Sequence, residues 1–222
     1  MQHLKVGVLG GGSWGTTVAA LITRNVPVTL WARNPDTVRE INETHRNETY
    51  LPGAVIPDKL VATNDIGECV SGADVVVMGI PSQNFRAVLE EVREHIRPWV
   101  PVISLTKGLE LDTRMRMTEI ITEVLPGHPV GVLTGPNLAR EIMAGQAAAS
   151  VIAMEDEIIV KALQNVFKSG LFRVYTNTDV IGCELGGGLK NIIAIAVGMG
   201  DGQGAGDNTR SALITRGLSE IT

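Results

Sequence analysis

The sequence predicts a doubly wound α/β fold with a mostly parallel sheet, followed by the start of an all-helical second domain. Three observations carry this. Short apolar runs alternate with amphipathic helical stretches as far as about Thr178, the rhythm of βαβ units. Asp74-Val75-Val76-Val77-Met78-Gly79-Ile80 is a β-branched run without polar alternation, as expected of a strand covered on both faces. The first apolar run passes straight into Gly10-x-Gly12-x-x-Gly15 and then into a helix-like stretch.

In order, Val6–Leu9 reads as the first strand and Trp14–Arg24 as the first helix. Val28–Trp31 is the second strand, and a helix starts over Asp36–Asn42. His45–Pro57 is a polar loop punctuated by Pro52-Gly53 and Pro57. Leu60–Ala62 is a short strand and Asp65–Ser71 a short helix. After the buried run, Gln83–His95 is helical, Val100–Leu105 a strand, Met115–Val124 a helix and Gly131–Leu133 a strand. Leu138–Ala144, Ala148–Met154, Ile158–Phe167 and Phe172–Tyr175 extend the pattern. Val180–Met199 carries small and apolar residues on all sides, so a helix buried all round is expected. A glycine-rich loop follows. Asp207 is a good N-cap for a last helix from Thr209 to the end.

The composition, 44% apolar and 19% charged over 222 residues, is that of a soluble globular chain. A net charge of −5 without a basic block argues against nucleic acid as a partner. Cys69 and Cys183 lie far apart and read as small core residues of a protein in a reducing compartment. His3, His45, His95 and His128 share no spacing, so no metal site is expected. Lys5–Ile22 has the basic start and apolar run of a signal peptide, but three glycines interrupt it. Leu189–Met199 is too short to span a bilayer, so no membrane insertion and a cytoplasmic protein are expected.

The strand–glycine–helix order is the context of a Rossmann-type dinucleotide site. Gly10 allows the tight turn, Gly12 lets backbone approach a pyrophosphate, and Gly15 lets helix and strand pack closely. The helix N-terminus offers N–H groups and a positive dipole end to the phosphates. Residues 1–178 are therefore expected to form a dinucleotide-binding domain. Residues 179–222 then hold an interdomain helix and an incomplete helical substrate domain, since roughly 40 residues are too few for an independent core.

Arg33 follows the second strand, where Asp or Glu suits the ribose of NAD and Arg suits the 2′-phosphate of NADP. Its bland alternative is a solvated surface residue. Lys107, just past a buried strand, sits where ligands of open α/β sheets bind, though it also reads as an ordinary loop lysine. Lys190 and Asn191 are the strongly polar pair of an apolar helix. A desolvated lysine has a lowered pKa and can exchange protons near neutrality; the alternatives are snorkelling or pairing with Glu184. Gly135-Pro136-Asn137-Leu138-Ala139 joins a turn to a helix start at another strand end.

Taken together, Gly10-x-Gly12-Ser13-Trp14-Gly15-Thr16, Leu105-Thr106-Lys107-Gly108-Leu109-Glu110, Leu133-Thr134-Gly135-Pro136-Asn137, Glu184-Leu185-Gly186-Gly187-Gly188-Leu189-Lys190-Asn191 and Asp207–Leu218 resemble the bacterial-type NAD(P)-dependent glycerol-3-phosphate dehydrogenases. The resemblance covers essentially the whole chain. It implies interconversion of dihydroxyacetone phosphate and sn-glycerol 3-phosphate for phospholipid synthesis, with Lys190 as catalytic acid/base. It implies that Lys107, Gly135, Asn137 and Lys190 contact substrate, although Ser or Thr is commoner at the Asn137 position. Gly10, Gly12, Ser13, Trp14, Gly15, Arg33, Tyr50, Lys107 and Ala139 would contact NADP(H) or NAD(H), with NADP(H) favoured.

Two departures stand out. Family chains run further, through a Gly-x-Gly-Asp-Leu segment and a Ser-Arg-Asn triplet that hold substrate; a C-terminally truncated chain that binds cofactor with little or no turnover is the expectation. Gly188 stands where Ala is usual, at a helix cost of up to about 1 kcal/mol. The alternatives are a fragment that binds NADP(H) without turnover and a related β-hydroxyacid or ketopantoate-type reductase. Association through exposed apolar faces of the last helix would be an artefact of truncation, and a homodimer is a separate expectation.

Overall fold

The computed structural model describes residues 4–221. His3 and the C-terminal end of the last helix at Thr222 lie outside the described residues. Seventeen elements follow one another: β1 (Val6–Leu9), α1 (Ser13–Ile22), β2 (Val28–Trp31), α2 (Pro35–Thr44), β3 (Val61–Thr63), α3 (Ile66–Val70), β4 (Val75–Met78), α4 (Ser82–Arg93), β5 (Val102–Ser104), α5 (Met117–Val124), β6 (Val130–Thr134), α6 (Ala139–Met143), β7 (Ala148–Met154), α7 (Glu157–Phe167), β8 (Phe172–Asn177), α8 (Val180–Gly202) and α9 (Asp207–Ile221).

The strands form an eight-stranded sheet in the order β3-β2-β1-β4-β5-β6-β7-β8. Val6 pairs with Val28 on one side and with Val75 on the other, both parallel, so the strand order reverses at β1. Each apolar strand divides its side chains between two cores, because neighbouring residues point to opposite faces. Val75 and Val77 join the core beneath α1, α6 and α7. Val76 and Met78 join the one beneath α3, α4 and α5. This is why the Asp74–Ile80 run lacks polar alternation.

The exception to the parallel pattern is β7, which runs antiparallel to β6 with Thr134 opposite Val151. Only the five-residue α6 lies between them. A parallel return needs a crossover of a dozen or more residues with a full helix. The eleven-residue α7 supplies one, and β8 lies parallel to β7.

Helix starts follow their caps. Asn34 accepts from Asp36 N at 2.9 Å, with Pro35 opening α2. Asp156 accepts from Ile158 N and Ile159 N at the head of α7. Asp179 accepts from Gly182 N at 2.8 Å at the head of α8. Asp207 is the first residue of α9, not the cap expected to precede it, and α9 begins two residues earlier than expected.

The expectation of a helix buried on every side is corrected. Of the residues of α8, Glu184 and Gly187 are buried. Its other faces expose Ile192 and Ile195, each at 64%, and Met199 at 63%. One side of α8 packs on β6 and β7, and the following turns pack on α9. Apolar composition shows that a surface favours cover; it does not supply the cover. The bilayer estimate drawn from Leu189–Met199 is corrected as well. The 23-residue α8 is long and apolar enough, by length and composition, to cross a membrane.

Candidate functional site

The candidate site begins at the carboxyl end of β1. Gly10 has φ +120°, a conformation that favours glycine. It swings the chain into α1, and its N–H donates to Trp31 O at 2.9 Å, tying the turn to β2. A Cβ on Gly15 would collide with the Gly10 carbonyl oxygen, so glycine is what lets α1 sit this close to the turn.

The head of α1 differs from those of α2, α7 and α8. Its N-cap is Gly12, and no side chain caps it. The first N–H groups of a helix lack intrahelical partners. Here they remain available to an outside acceptor, with the positive dipole end behind them. A Cβ on Gly12 would meet no atom within 4 Å. The turn borders a cavity of about 360 Å³, walled also by Arg33, Thr37, Tyr50, Ile80 and Asn84.

Sequence-predicted residues fall into two groups at this end of the sheet. Gly10, Gly12, Arg33 and Tyr50 line the cavity, while Ser13, Trp14 and Gly15 form the first turn of α1. The Trp14 ring turns inward, with its centroid 6.4 Å from that of Phe172. Trp14 therefore offers its backbone, not its indole, to the cavity side.

The second group stands at the ends of β5 and β6. Lys107 Nζ donates to Gly135 O at 3.1 Å. Burial, and after it the Lys190 charge, hold Lys107 below the ordinary lysine range. Asn137 Nδ2 donates to Ser150 Oγ at 2.8 Å, and Ala139 opens α6. Thr106 Oγ1 donates to Ile80 O at 2.6 Å, linking this group to the cavity wall.

Lys190 is exposed and donates to Asn191 Oδ1 at 2.9 Å. The desolvated surroundings expected for it are not met within the described residues: its side chain is exposed, on the rim of an open hollow that α8 shares with Ile214, Leu218 and Ile221 of α9. Its alternative partner is ruled out too: Glu184 is bound to Arg116 and Thr118 instead.

Sequence reasoning missed Asn47. It is fully buried, and its Nδ2 donates to Gly11 O at 2.9 Å and to Thr16 Oγ1 at 3.0 Å. That fastens the 45–57 loop to the glycine turn and carries Tyr50 to the cavity. Nothing in the local pattern sets Asn47 apart from the other polar residues of its loop. A larger hollow of about 690 Å³ lies between α5 and α8, but Glu119, Glu123, Glu155 and Asp156 line it and oppose a phosphorylated ligand. Both cysteines are free, and burial pushes the Cys69 thiol up to about 12, away from thiolate chemistry.

A parallel sheet with a reversal of strand order at β1, a glycine turn there and an uncapped helix head define a Rossmann-type dinucleotide-binding protein. Comparison with known families narrows this. Residues 5–160 match the family "NAD-dependent glycerol-3-phosphate dehydrogenase N-terminus", and residues 179–222 match the corresponding C-terminus family. The chain belongs to the NAD-dependent glycerol-3-phosphate dehydrogenase family.

It is 73% identical over 221 residues to a glycerol-3-phosphate dehydrogenase [NAD(P)+] of Sphingopyxis alaskensis, covering 100% of this chain and 66% of that protein. It is 54% identical to the Mycobacterium avium enzyme, covering 100% of this chain and 65% of that one. The glycerol-3-phosphate dehydrogenase structure from Coxiella burnetii superposes with a TM-score of 0.89 at 36% identity, over 99% of this chain and 67% of the other. The chain thus spans just under two thirds of the length of these two curated relatives. Membership of this family leaves the β-hydroxyacid or ketopantoate-type alternative without support.

Proposed function

We propose that this chain carries the cofactor cleft and the proton-handling lysine of an NAD(P)(H)-dependent interconversion of dihydroxyacetone phosphate and sn-glycerol 3-phosphate, a step toward phospholipids. The observation that carries this reading is the uncapped α1 head and glycine turn opening onto the sheet end where Lys107 and Lys190 also stand. The empty position at Gly12 and the free N–H groups of α1 suit a pyrophosphate, so the residues present fit a dinucleotide.

The bound nicotinamide would supply or receive the hydride. The backbone of Ser13, Trp14 and Gly15 holds the pyrophosphate, and Arg33 meets a 2′-phosphate, which favours NADP(H) over NAD(H). Tyr50 and Ala139 border the remaining nucleotide. Lys190 gives a proton to the substrate carbonyl oxygen and takes it back in the reverse direction. Lys107, with Gly135 and Asn137, orients the substrate, and two neighbouring ammonium groups draw a dianionic phosphate to this end of the sheet. In this reading the nucleotide-binding part ends near Thr178, and α8 begins the substrate part. Two free thiols accord with a cytoplasmic protein.

The test pairs calorimetric titration with NADPH and NADH with an assay of NADPH absorbance in the presence of dihydroxyacetone phosphate. NADPH binding tighter than NADH binding is the expected result. No binding of either nucleotide overturns the reading, and binding without oxidation assigns the chain to nucleotide binding alone.

A further inference from the structure

We infer that Glu184 is a positioning residue: its buried carboxylate, gripped by Arg116 and Thr118, sets the rotation and height of α8 so that Lys190 stands beside Lys107. The inference rests on the proposed sharing of one substrate site by these two lysines.

Glu184 is 5% exposed on a helix that is otherwise mostly open to solvent. Its Oε2 accepts from Arg116 Nη1 at 3.0 Å and from the Thr118 hydroxyl, and its Oε1 accepts from Thr118 N at 3.1 Å. All three donors come from the head of α5, where the helix dipole favours a carboxylate. Arg116 is itself held by Glu119 at 2.9 Å.

A buried ion pair contributes little net stability compared with apolar packing of similar volume. What it does supply is direction, since its hydrogen bonds survive only in one geometry. Gly187 follows on nearly the same side of α8, where a Cβ would collide with Thr134 Oγ1 at the end of β6. Asn191 comes two turns after Glu184 on that side and accepts from Lys190 Nζ. The clamp at Glu184, the seat at Gly187 and the tether at Asn191 thus form one line along the helix. A slip of one residue would rotate α8 by roughly 100° and carry Lys190 away from Lys107.

Lys107 reports on this placement, because α8 meets the 107–108 turn, where a Cβ on Gly188 would lie 3.7 Å from Gly108 N, and because burial and then the Lys190 charge lower the Lys107 ammonium. The experiment is pulsed acetylation of the whole chain with acetic anhydride across a pH series, with Lys107 followed by peptide mass spectrometry. Lys190→Gln sets the scale: with the neighbouring charge gone, Lys107 is less deprotonated and labels more slowly below its titration midpoint. Glu184→Gln and the milder Thr118→Val are expected to slow Lys107 in the same direction, by at least half the logarithmic effect of Lys190→Gln. Asp74→Asn, which loosens an ion pair at the far end of β4, controls for lost stability alone and leaves the Lys107 profile unchanged.

If Glu184→Gln fails to fold, Thr118→Val decides, since it keeps both charges. Lowered melting temperatures with a Lys107 profile identical to that of the unsubstituted chain would overturn the inference and leave Glu184 as a structural residue only. The readout needs neither cofactor nor turnover, so it stands or falls separately from the proposed activity.

Discussion

Gly12→Ala should separate binding from folding. Gly12 has φ −74° and ψ 178°, a conformation open to any residue, and an added Cβ meets nothing within 4 Å. Two small effects on stability oppose each other. Alanine restricts the unfolded chain and stabilises by about 0.4–1 kcal/mol. It is also a poorer N-cap than glycine, by roughly 0.5–1 kcal/mol. The net change in unfolding free energy should lie within about 0.5 kcal/mol of zero.

Binding should respond differently. The methyl group would stand at the mouth of the uncapped α1 head, where the pyrophosphate is proposed to lie. Losing one charge-assisted hydrogen bond there costs about 1.5–3 kcal/mol, or roughly 10- to 150-fold in the NADPH dissociation constant. Calorimetry and thermal unfolding on the same preparation read both quantities. Gly15→Ala is the contrast, since its Cβ collides with the Gly10 carbonyl oxygen and should cost about 1–3 kcal/mol of stability. Unchanged NADPH affinity in folded Gly12→Ala would refute the placement of the phosphates. Destabilisation equal to that of Gly15→Ala would refute the open space assigned to Gly12.

Three further outcomes are expected. Arg33→Ala should weaken NADPH by about tenfold and leave NADH untouched, by paired titrations; an equal loss for both would remove Arg33 as the selector. Gly188→Ala should raise the melting temperature by about 2–4 °C, because its Cβ would make an ordinary 3.7 Å contact with Gly108 N while the helix gains about 1 kcal/mol; a fall would mean that α8 sits closer to the 108 turn. Asp74 is held below the usual carboxylate range, first by the Lys5 backbone N–H and then by Arg97. A depressed carboxylate stabilises above its unfolded pKa of about 3.9 and loses that contribution as pH falls through its folded value. Asp74→Asn should therefore cost under ~1 kcal/mol at neutral pH, given the exposure of the pair, and the difference should close in acid. A gap that persists at low pH in urea titrations would assign the loss to something other than charge.

The sequence alone determined the features that arise from neighbouring residues. The expected bounds of β1, β2 and β7 coincide with those observed, and the two-faced burial of β4 was legible in its β-branched run. The glycine turn was legible largely for the same reason: Gly15 faces the Gly10 carbonyl oxygen five residues back and Gly10 has φ +120°, whereas the clash of a Gly10 Cβ with the Gly79 carbonyl oxygen belongs to the tertiary structure. Tertiary structure decided the rest. It set β7 antiparallel, left most of α8 open, paired Glu184 with Arg116 rather than Lys190, and bound Asn47 beneath the turn. Those outcomes join residues 68 positions apart, as in Glu184 and Arg116, or 36 apart, as in Asn47 and Gly11. Periodicity records which face of a helix or strand is apolar, but the partner of a buried charge or amide is settled only when the layers close and water is gone from around it.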